Sequence, residues 1–169
     1  LDARLRDQMR IEMKHLHEKV GITFIMVTHD QEEALTMSDR VVVMEKGRVA
    51  QDGRPQDLYD QPASPYVANF IGTTNFVAGS LTGRSPAGTR ITSAAGDFTA
   101  TTDLALPQGA EVTLGFRPEK VRLLAEGETA ANVVPGRIAE VIYYGLGLRT
   151  TVELVGGTQV HVDCLLPDS

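Results

Sequence analysis

Several residue types that define common protein classes are rare in this sequence. Its 169 residues include one cysteine, Cys164, so no internal disulfide can form and a reducing compartment is suitable. There are 16 basic residues against 22 acidic ones. The resulting net charge of −6 argues against binding to a phosphate backbone, which requires a basic surface. No apolar run approaches the ~20 residues that span a membrane.

Motifs that define several enzyme classes are also missing. The sequence contains no CxxC, HExxH or GxSxG motif, which argues against a metal site and against a covalent nucleophile. It contains no GxxxxGK[ST] loop, so nothing in it cradles a triphosphate with backbone N–H groups. The first residue is Leu1, with neither an initiator Met nor the apolar segment of a signal peptide, and we expect the native start to lie elsewhere.

What is present divides into two halves of different character. Hydrophobic residues make up 42% of the chain, which is enough for a packed core. Residues 1 to about 72 carry helix and buried-strand patterns, whereas the chain from about residue 75 onward is rich in Thr, Val and Gly and predicts only strands. Prolines 55, 62 and 65 favour short helices and turns in the connecting segment.

The first half begins with an amphipathic helix. Asp2 is its predicted N-cap and Gly21 its left-handed C-cap. An apolar stripe follows helical spacing, formed by Leu5, Met9, Met13, Leu16 and Val20. The nearly continuous apolar run at 22–28 then predicts a strand buried on both faces of a parallel sheet.

A second helix is predicted directly after this strand. Asp30 is placed to cap it, and Glu32 and Glu33 suit the positive end of its dipole. An apolar strand at 40–44 follows, and a tight turn at Lys46 and Gly47 leads into a returning strand at 48–51.

The second half predicts many short strands separated by glycine-containing turns, which is typical of a small barrel or sandwich. The predicted strands are 75–81, 90–92, 97–101, 111–116, 121–124, 132–144, 148–154 and 159–163.

His29 is the polar residue that stands out as a candidate functional group. It lies at the predicted carboxyl end of a buried strand, the edge where open α/β sheets bind their ligands. There, an imidazole can donate a hydrogen bond to a phosphate oxygen or orient a water molecule. A histidine that only caps or packs is the alternative. His15 and His17 point to different faces of a helix and cannot chelate one metal ion. His161 and Cys164 lie on opposite faces of a strand.

The Arg117-Pro118-Glu119 segment follows an alternating strand and has two interpretations. The arginine and the carboxylate could form a specific ion pair, or the proline could fix a structural corner.

The motifs together resemble the ATP-binding subunits of ABC transporters. The sequence VTHDQEEA at 27–34 resembles the switch-histidine loop of these ATPases, and LDARLR at 1–6 resembles the end of their D-loop. Residues 39–55 continue the pattern through the last strands of that domain, and SPYVANFIG at 64–72 resembles its exit. The sequence LGFRPE at 114–119 is similar to the marker of the OB-like TOBE domain.

The resemblance implies a fold and a domain organisation. It implies an α/β remnant of a P-loop ATPase core at 1–72, followed by an all-β OB-like TOBE barrel at 73–169. The Walker A loop, the Q-loop, the signature motif and the Walker B strand would lie upstream of Leu1, so we expect the isolated chain to be inactive.

The resemblance also implies functional residues and partners. His29 would be catalytic and would contact the γ-phosphate of ATP bound with Mg²⁺ in the full-length protein. Asp2 would lie at the interface of a homodimer, near the partner's nucleotide. The other partners would be the transmembrane permease subunits of a bacterial importer of the sugar, polyamine, iron or sulfate type. Among these types, the resemblance favours the polyamine importers, but only weakly. The protein would be peripheral, at the cytoplasmic face of the inner membrane.

Two other functions come from the all-β half alone. An OB-like barrel whose turns are rich in backbone N–H groups could bind a small ligand or an oxyanion as a regulatory module. Such barrels also bind single-stranded nucleic acid, but aromatic residues form only 5% of this chain and its charge is acidic, which argues against that function.

Overall fold

The chain forms two compact units that divide between Thr73 and Thr74. The computed structural model describes residues 3–102 and 105–165, with the backbone alone at 3–7. Among these residues no helix combines the length and the apolar character needed to cross a membrane.

The first unit combines four helices with one β-hairpin. Helices α1 and α2 come first, then the two strands, then helices α3 and α4. Their bounds are α1 Ala3–Val20, α2 Gln31–Met37, β1 Val41–Glu45, β2 Arg48–Gly53, α3 Pro55–Asp60 and α4 Pro65–Ile71. A proline opens α3 and another opens α4, since the first helical position needs no N–H donor.

The hairpin and the last two helices form the core of this unit. The antiparallel strands β1 and β2 meet at the predicted turn, where both Lys46 and Gly47 have positive φ angles, 49° and 77°. Such angles match the twist of a two-residue hairpin. The buried core residues are Val41, Val43, Leu58, Val67 and Ile71.

The buried strand predicted at 22–28 is absent, and this prediction is wrong. These residues are extended but belong to no sheet, and the Ile25 and Val27 residues are 91% and 96% exposed. A strand buried on both faces requires neighbours on both edges, and the described residues offer it none. The only sheet of the first unit in the described ranges is the antiparallel hairpin, so the expected parallel arrangement is not formed there.

The apolar stripe on α1 is also exposed. Met9, Met13, Leu16 and Val20 stay about half exposed, since no element of the described chain covers this face. The predicted C-cap is confirmed: Gly21 has a φ of 67°, and its N–H donates to the His17 carbonyl. The predicted N-cap, Asp2, lies outside the described residues.

The second unit consists of two antiparallel sheets. One has the strand order β5-β4-β3-β6 and the other the order β7-β8-β9. The strands are β3 Asn75–Ser85, β4 Gly88–Ser93, β5 Gly96–Ala100, β6 Glu111–Phe116, β7 Gly136–Tyr143, β8 Gly147–Leu154 and β9 Gln159–Leu165. A 3₁₀ turn, Pro118–Lys120, follows β6.

Three expectations about this unit are wrong. The sheets do not close into a barrel in the described part of the chain, because no strand pairing joins one sheet to the other. Residues 121–124 form no strand, and the strand predicted at 132–144 begins only at Gly136. Closure of a barrel depends on register and tilt, which short alternating runs do not encode.

Side chains connect the two sheets where strand pairing does not. The buried Asn75 amide on β3 donates to the His161 carbonyl and accepts from the His161 N–H, both at 2.8 Å. The amide thus acts as a ladder partner for β9. The two sheets also share one apolar core, which includes Val77, Val152, Leu154, Val160 and Val162.

Two glycines of β3 differ in the space around them. A Cβ atom on Gly79 would lie 2.8 Å from the Thr92 carbonyl oxygen and 2.8 Å from Cγ2 of Ile91. A Cβ atom on Gly83 would meet nothing within 4 Å.

We therefore expect opposite effects from the same substitution at these positions. Gly79→Ala should destabilise the unit by about 1–3 kcal/mol through overpacking. Gly83→Ala, the matched control, should leave the free energy of unfolding unchanged or raise it by up to ~1 kcal/mol. Urea unfolding, followed by the NMR signals of Val77 and Ile91, measures both. Equal destabilisation by the two variants would contradict the close contact at Gly79.

A two-bond ion pair links β8 to β9. The Arg149 guanidinium donates to both carboxylate oxygens of Asp163, at 2.8 and 2.7 Å. These hydrogen bonds lower the pKa of Asp163 below its ordinary value of 3.8, although partial burial opposes the shift.

This pair predicts a loss of stability in acid. Because the pKa is lower in the folded state, the stabilisation is complete above pH 3.8 and falls as the pH drops through the folded-state pKa. Unfolding measured between pH 6 and pH 2 should therefore show a decline that Asp163→Asn reduces. An unchanged pH profile in that variant would contradict a role for the pair.

Candidate functional site

His29 lies between the extended segment 21–28 and the first turn of α2. Its side chain is exposed, and its ring nitrogens have no hydrogen-bond partner among the described residues. An exposed imidazole without a structural partner is able to contact a ligand. The imidazole is not buried, but no sheet edge lies beside His29 in the described chain, so the predicted placement at the carboxyl end of a sheet strand is not found there.

The next residue, Asp30, fixes the start of α2. Its Oδ1 atom accepts hydrogen bonds from the backbone N–H groups of Glu32 and Glu33, at 2.9 and 3.1 Å. The predicted N-cap is thus confirmed. Since α2 has seven residues and none is fully buried, this cap contributes much of what holds its first turn.

The residue before His29, Thr28, is fixed by the same turn. Its hydroxyl donates to Oε2 of Glu33 at 2.6 Å and accepts from the Asp30 N–H at 2.9 Å. The backbone is therefore held by hydrogen bonds on both sides of His29, while the imidazole itself stays exposed.

Arg10 connects this turn to α1. The Arg10 side chain is only 12% exposed. One nitrogen of its guanidinium lies 3.1 Å from Oδ2 of Asp30 and 3.3 Å from Oε1 of Glu33. A second nitrogen lies 3.6 Å from a carboxylate oxygen of Glu32. One cation thus faces three carboxylates at the start of α2.

The pKa values in this group follow from the contacts. The Thr28 hydroxyl, and after it the Arg10 guanidinium, lower the pKa of Glu33 against an opposing effect of desolvation. Desolvation tends to lower the pKa of Arg10, but the hydrogen bond to Glu33 and the neighbouring carboxylates outweigh it and raise the pKa overall. Glu33 is therefore ionised, and Arg10 remains charged, at neutral pH.

Sequence reasoning identified His29 and Asp30 but missed Thr28, Glu33 and Arg10 as their supports. The spacing of Asp30 and Glu33 follows a helix-capping pattern and so contained a local signal. Arg10 lies 20 residues before Asp30 on another helix, and no local pattern points to that contact.

The other candidates do not gather into a second site. Asp2 lies outside the described residues. The His17 ring packs edge-on against Phe24 with 5.4 Å between centroids, and Nδ1 of His161 lies 3.3 Å from the Thr151 hydroxyl. Within the described ranges, no group of three or more His, Cys, Asp or Glu residues is arranged to hold a metal ion.

In the second unit, Arg117 lies directly after β6. It is buried, and its guanidinium donates to the Thr74 hydroxyl at 2.6 Å. The adjacent Pro118 is also buried and opens the 3₁₀ turn. This arrangement matches the corner interpretation of the segment.

Comparison with known proteins identifies relatives that match most of the chain. The chain is 41% identical to the spermidine/putrescine import ATP-binding protein PotA of Pseudomonas fluorescens, over 96% of this chain and 43% of the relative. The PotA protein of Ruegeria pomeroyi is 43% identical over 94% of this chain and 42% of its own length. The PotA protein of Rubrobacter xylanophilus is 47% identical over 86% and 38%.

A family model adds to this result. The TOBE domain model matches residues 114–168, within the second unit. The chain is a relative of ABC importer ATP-binding proteins and carries a TOBE domain.

The match has a defined extent. The chain spans less than half the length of these curated relatives. A match over 96% of 169 residues leaves about seven residues outside, so it includes the segment around His29. The resemblance expected from the switch-histidine and TOBE motifs is confirmed.

The role of Asp30 as a cap leads to a prediction about α2. In Asp30→Ala the amides of Glu32 and Glu33 lose their acceptor, and hydrogen exchange at both should accelerate at least about fivefold, as loss of a cap typically costs ~1 kcal/mol and the ion pair with Arg10 is lost as well. Asp30→Asn is the matched control, since asparagine keeps a capping oxygen but loses the charge. The Asn variant should exchange at an intermediate rate, because it keeps the capping oxygen but loses the ion pair with Arg10. Exchange as fast as in the Ala variant would contradict a role for the cap.

Proposed function

We propose that this chain is part of the ATP-binding subunit of an ABC importer, which couples ATP hydrolysis to solute uptake. The observation that carries the proposal is the match to import ATP-binding proteins, which includes almost the whole chain and its His29 segment. We further propose that the solute is a polyamine, since the relatives are named for spermidine and putrescine import.

We assign residues 1–72 to the C-terminal portion of a P-loop ATPase domain and residues 73–169 to a TOBE regulatory domain. The division of the chain between Thr73 and Thr74 supports this boundary. The exposed apolar segment 22–27 is also consistent with it. In an ATPase sheet that segment would be an inner strand, with neighbours contributed by residues that are not in this sequence.

His29 is proposed to contact the γ-phosphate of ATP and to help position the attacking water. Its exposure and the fixed backbone on either side support this role. Asp2 is proposed to lie near the nucleotide of a second subunit.

The residues present fit only a small part of an ATP and Mg²⁺ site. His29 offers one contact, whereas a triphosphate also requires a cradle of backbone donors and cationic side chains. The sequence has no GxxxxGK[ST] loop, and the charges beside His29 are carboxylates that face Arg10. We therefore propose that this chain does not hydrolyse ATP by itself.

The proposed partners follow from the importer assignment. They are the transmembrane permease subunits and a second ATP-binding subunit in a head-to-tail homodimer. We therefore propose that the protein is peripheral, at the cytoplasmic face of the inner (plasma) membrane, with membrane contact only through the permease.

A regulatory module that binds a small ligand or an oxyanion is the competing function, and one groove of the second unit does not favour an oxyanion. An open groove crosses β3, β4 and β6, lined by hydroxyl groups such as those of Ser80 and Thr92 and by the carboxylate of Glu111. None of the described residues that line it is a lysine or arginine. A carboxylate without a cation repels an anion.

The importer assignment predicts a specific dependence on His29. In the longer subunit that contains this sequence, His29→Ala should lower the kcat of ATP hydrolysis about 100-fold or more, which is the usual loss when a group that handles a proton or a developing charge is removed. Phosphate release from purified protein measures the rate.

The matched control is His15→Ala, because His15 is an exposed histidine on α1 with no assigned role. It should retain full activity. ATP hydrolysis by the 169-residue chain alone at the rate of the longer subunit, or an unaffected His29→Ala variant, would contradict the proposal.

A further inference from the structure

The position of His29 depends on contacts made by other residues. The segment before it, 22–27, belongs to no sheet in the described chain, and the imidazole has no hydrogen-bond partner there. The backbone at His29 is therefore fixed by the turn that Thr28, Asp30 and Glu33 form around it.

The contacts within this turn do not stabilise it sufficiently. Glu33 and Asp30 are both negative, and the nearby charge of each raises the energy of the other. Helix α2 is too short to be stable alone. A cation between the two carboxylates removes the repulsion and attaches the turn to a longer helix.

Arg10 is that cation. A single guanidinium nitrogen lies within 3.3 Å of both Asp30 and Glu33, and only 12% of the side chain is exposed. Partial burial strengthens the ion pairs relative to exposed ones, because less solvent screens them.

We infer that Arg10 is a positioning residue for His29. It holds Asp30 and Glu33 against α1, and Glu33 in turn holds Thr28, so that the backbone is fixed on both sides of the imidazole. The inference rests on the function proposed for His29 in hydrolysis, but the fixing of the backbone can be tested without it.

The first test uses this chain and hydrogen exchange at the amides of Asp30, Glu32 and Glu33. Arg10→Gln should accelerate their exchange about five- to thirtyfold. Arg10→Lys should restore protection in part, because an ammonium group keeps the charge but lacks the planar fork that contacts two carboxylates together.

Lys14→Gln is the matched control for this test. Lys14 lies one turn further along α1 and reaches the Thr36 carbonyl of α2 at 3.5 Å, without contacting Asp30 or Glu33. Its removal should change exchange at the three amides less than twofold. If Lys14→Gln and Arg10→Gln have the same effect, or Arg10→Gln has none, the inference is wrong.

The second test uses the longer subunit and a double-mutant cycle. Arg10→Gln should lower kcat about tenfold with little change in the KM for ATP. Combined with His29→Ala, it should cause no further loss, because an effect that acts through the imidazole disappears with it. A tenfold loss in both backgrounds would indicate a merely structural role and would overturn the inference.

The two tests separate the inference from the proposed function. If His29→Ala alone leaves hydrolysis intact, the proposed function fails, and exchange in this chain alone decides whether Arg10 fixes the backbone. If His29→Ala abolishes hydrolysis but exchange does not respond to Arg10→Gln, the proposed function stands and the inference fails.

Discussion

The turn that carries His29 depends on a concentration of negative charge at the start of a short helix, and on one cation that faces it. Asp30, Glu32 and Glu33 occupy the cap and the first turn of α2, where the helix dipole favours them, and Arg10 from α1 faces all three. A helix of seven residues is too short to be stable alone. These contacts hold its first turn, while the partly buried Ala34 and Leu35 pack against the core of the unit. The exposure of His29 follows from this arrangement, because its neighbours use the local hydrogen bonds and leave the imidazole to the solvent.

The second unit depends on contacts that join two small antiparallel sheets. Strand pairing does not connect them in the described chain, so a buried amide and a shared apolar core do. Residues 114–168, which match the TOBE domain, include β7, β8 and β9 and most of what faces this core from one side. The chain thus combines a helical unit that carries the candidate chemistry with a β unit whose contacts are structural.

Local features of the fold could be predicted from the sequence, and non-local ones could not. The Asp30 cap, the Gly21 cap, the turn at Lys46 and Gly47, and most strands of the second unit depend on a few adjacent residues. The strand predicted at 22–28 does not form, because a buried strand needs neighbouring strands on both edges and the described chain provides none. The predicted barrel does not close in the described chain, because closure depends on register between strands that are distant in sequence. In the candidate site, the motif at 27–34 predicts His29 as a functional residue, whereas no local pattern predicts Arg10, because its contact with Asp30 spans 20 residues.

The central claim is that hydrogen bonds to its neighbours fix the backbone at His29 while its ring remains exposed. Backbone ¹⁵N relaxation of this chain tests it most directly, with the order parameter of the His29 amide compared with those of α2. We expect a value of ~0.85, as in rigid backbone, and equal to that of Ala34. A value below ~0.6 at His29, with α2 itself rigid, would contradict the account, because the contacts of Thr28 and Asp30 would then not restrain the residue between them.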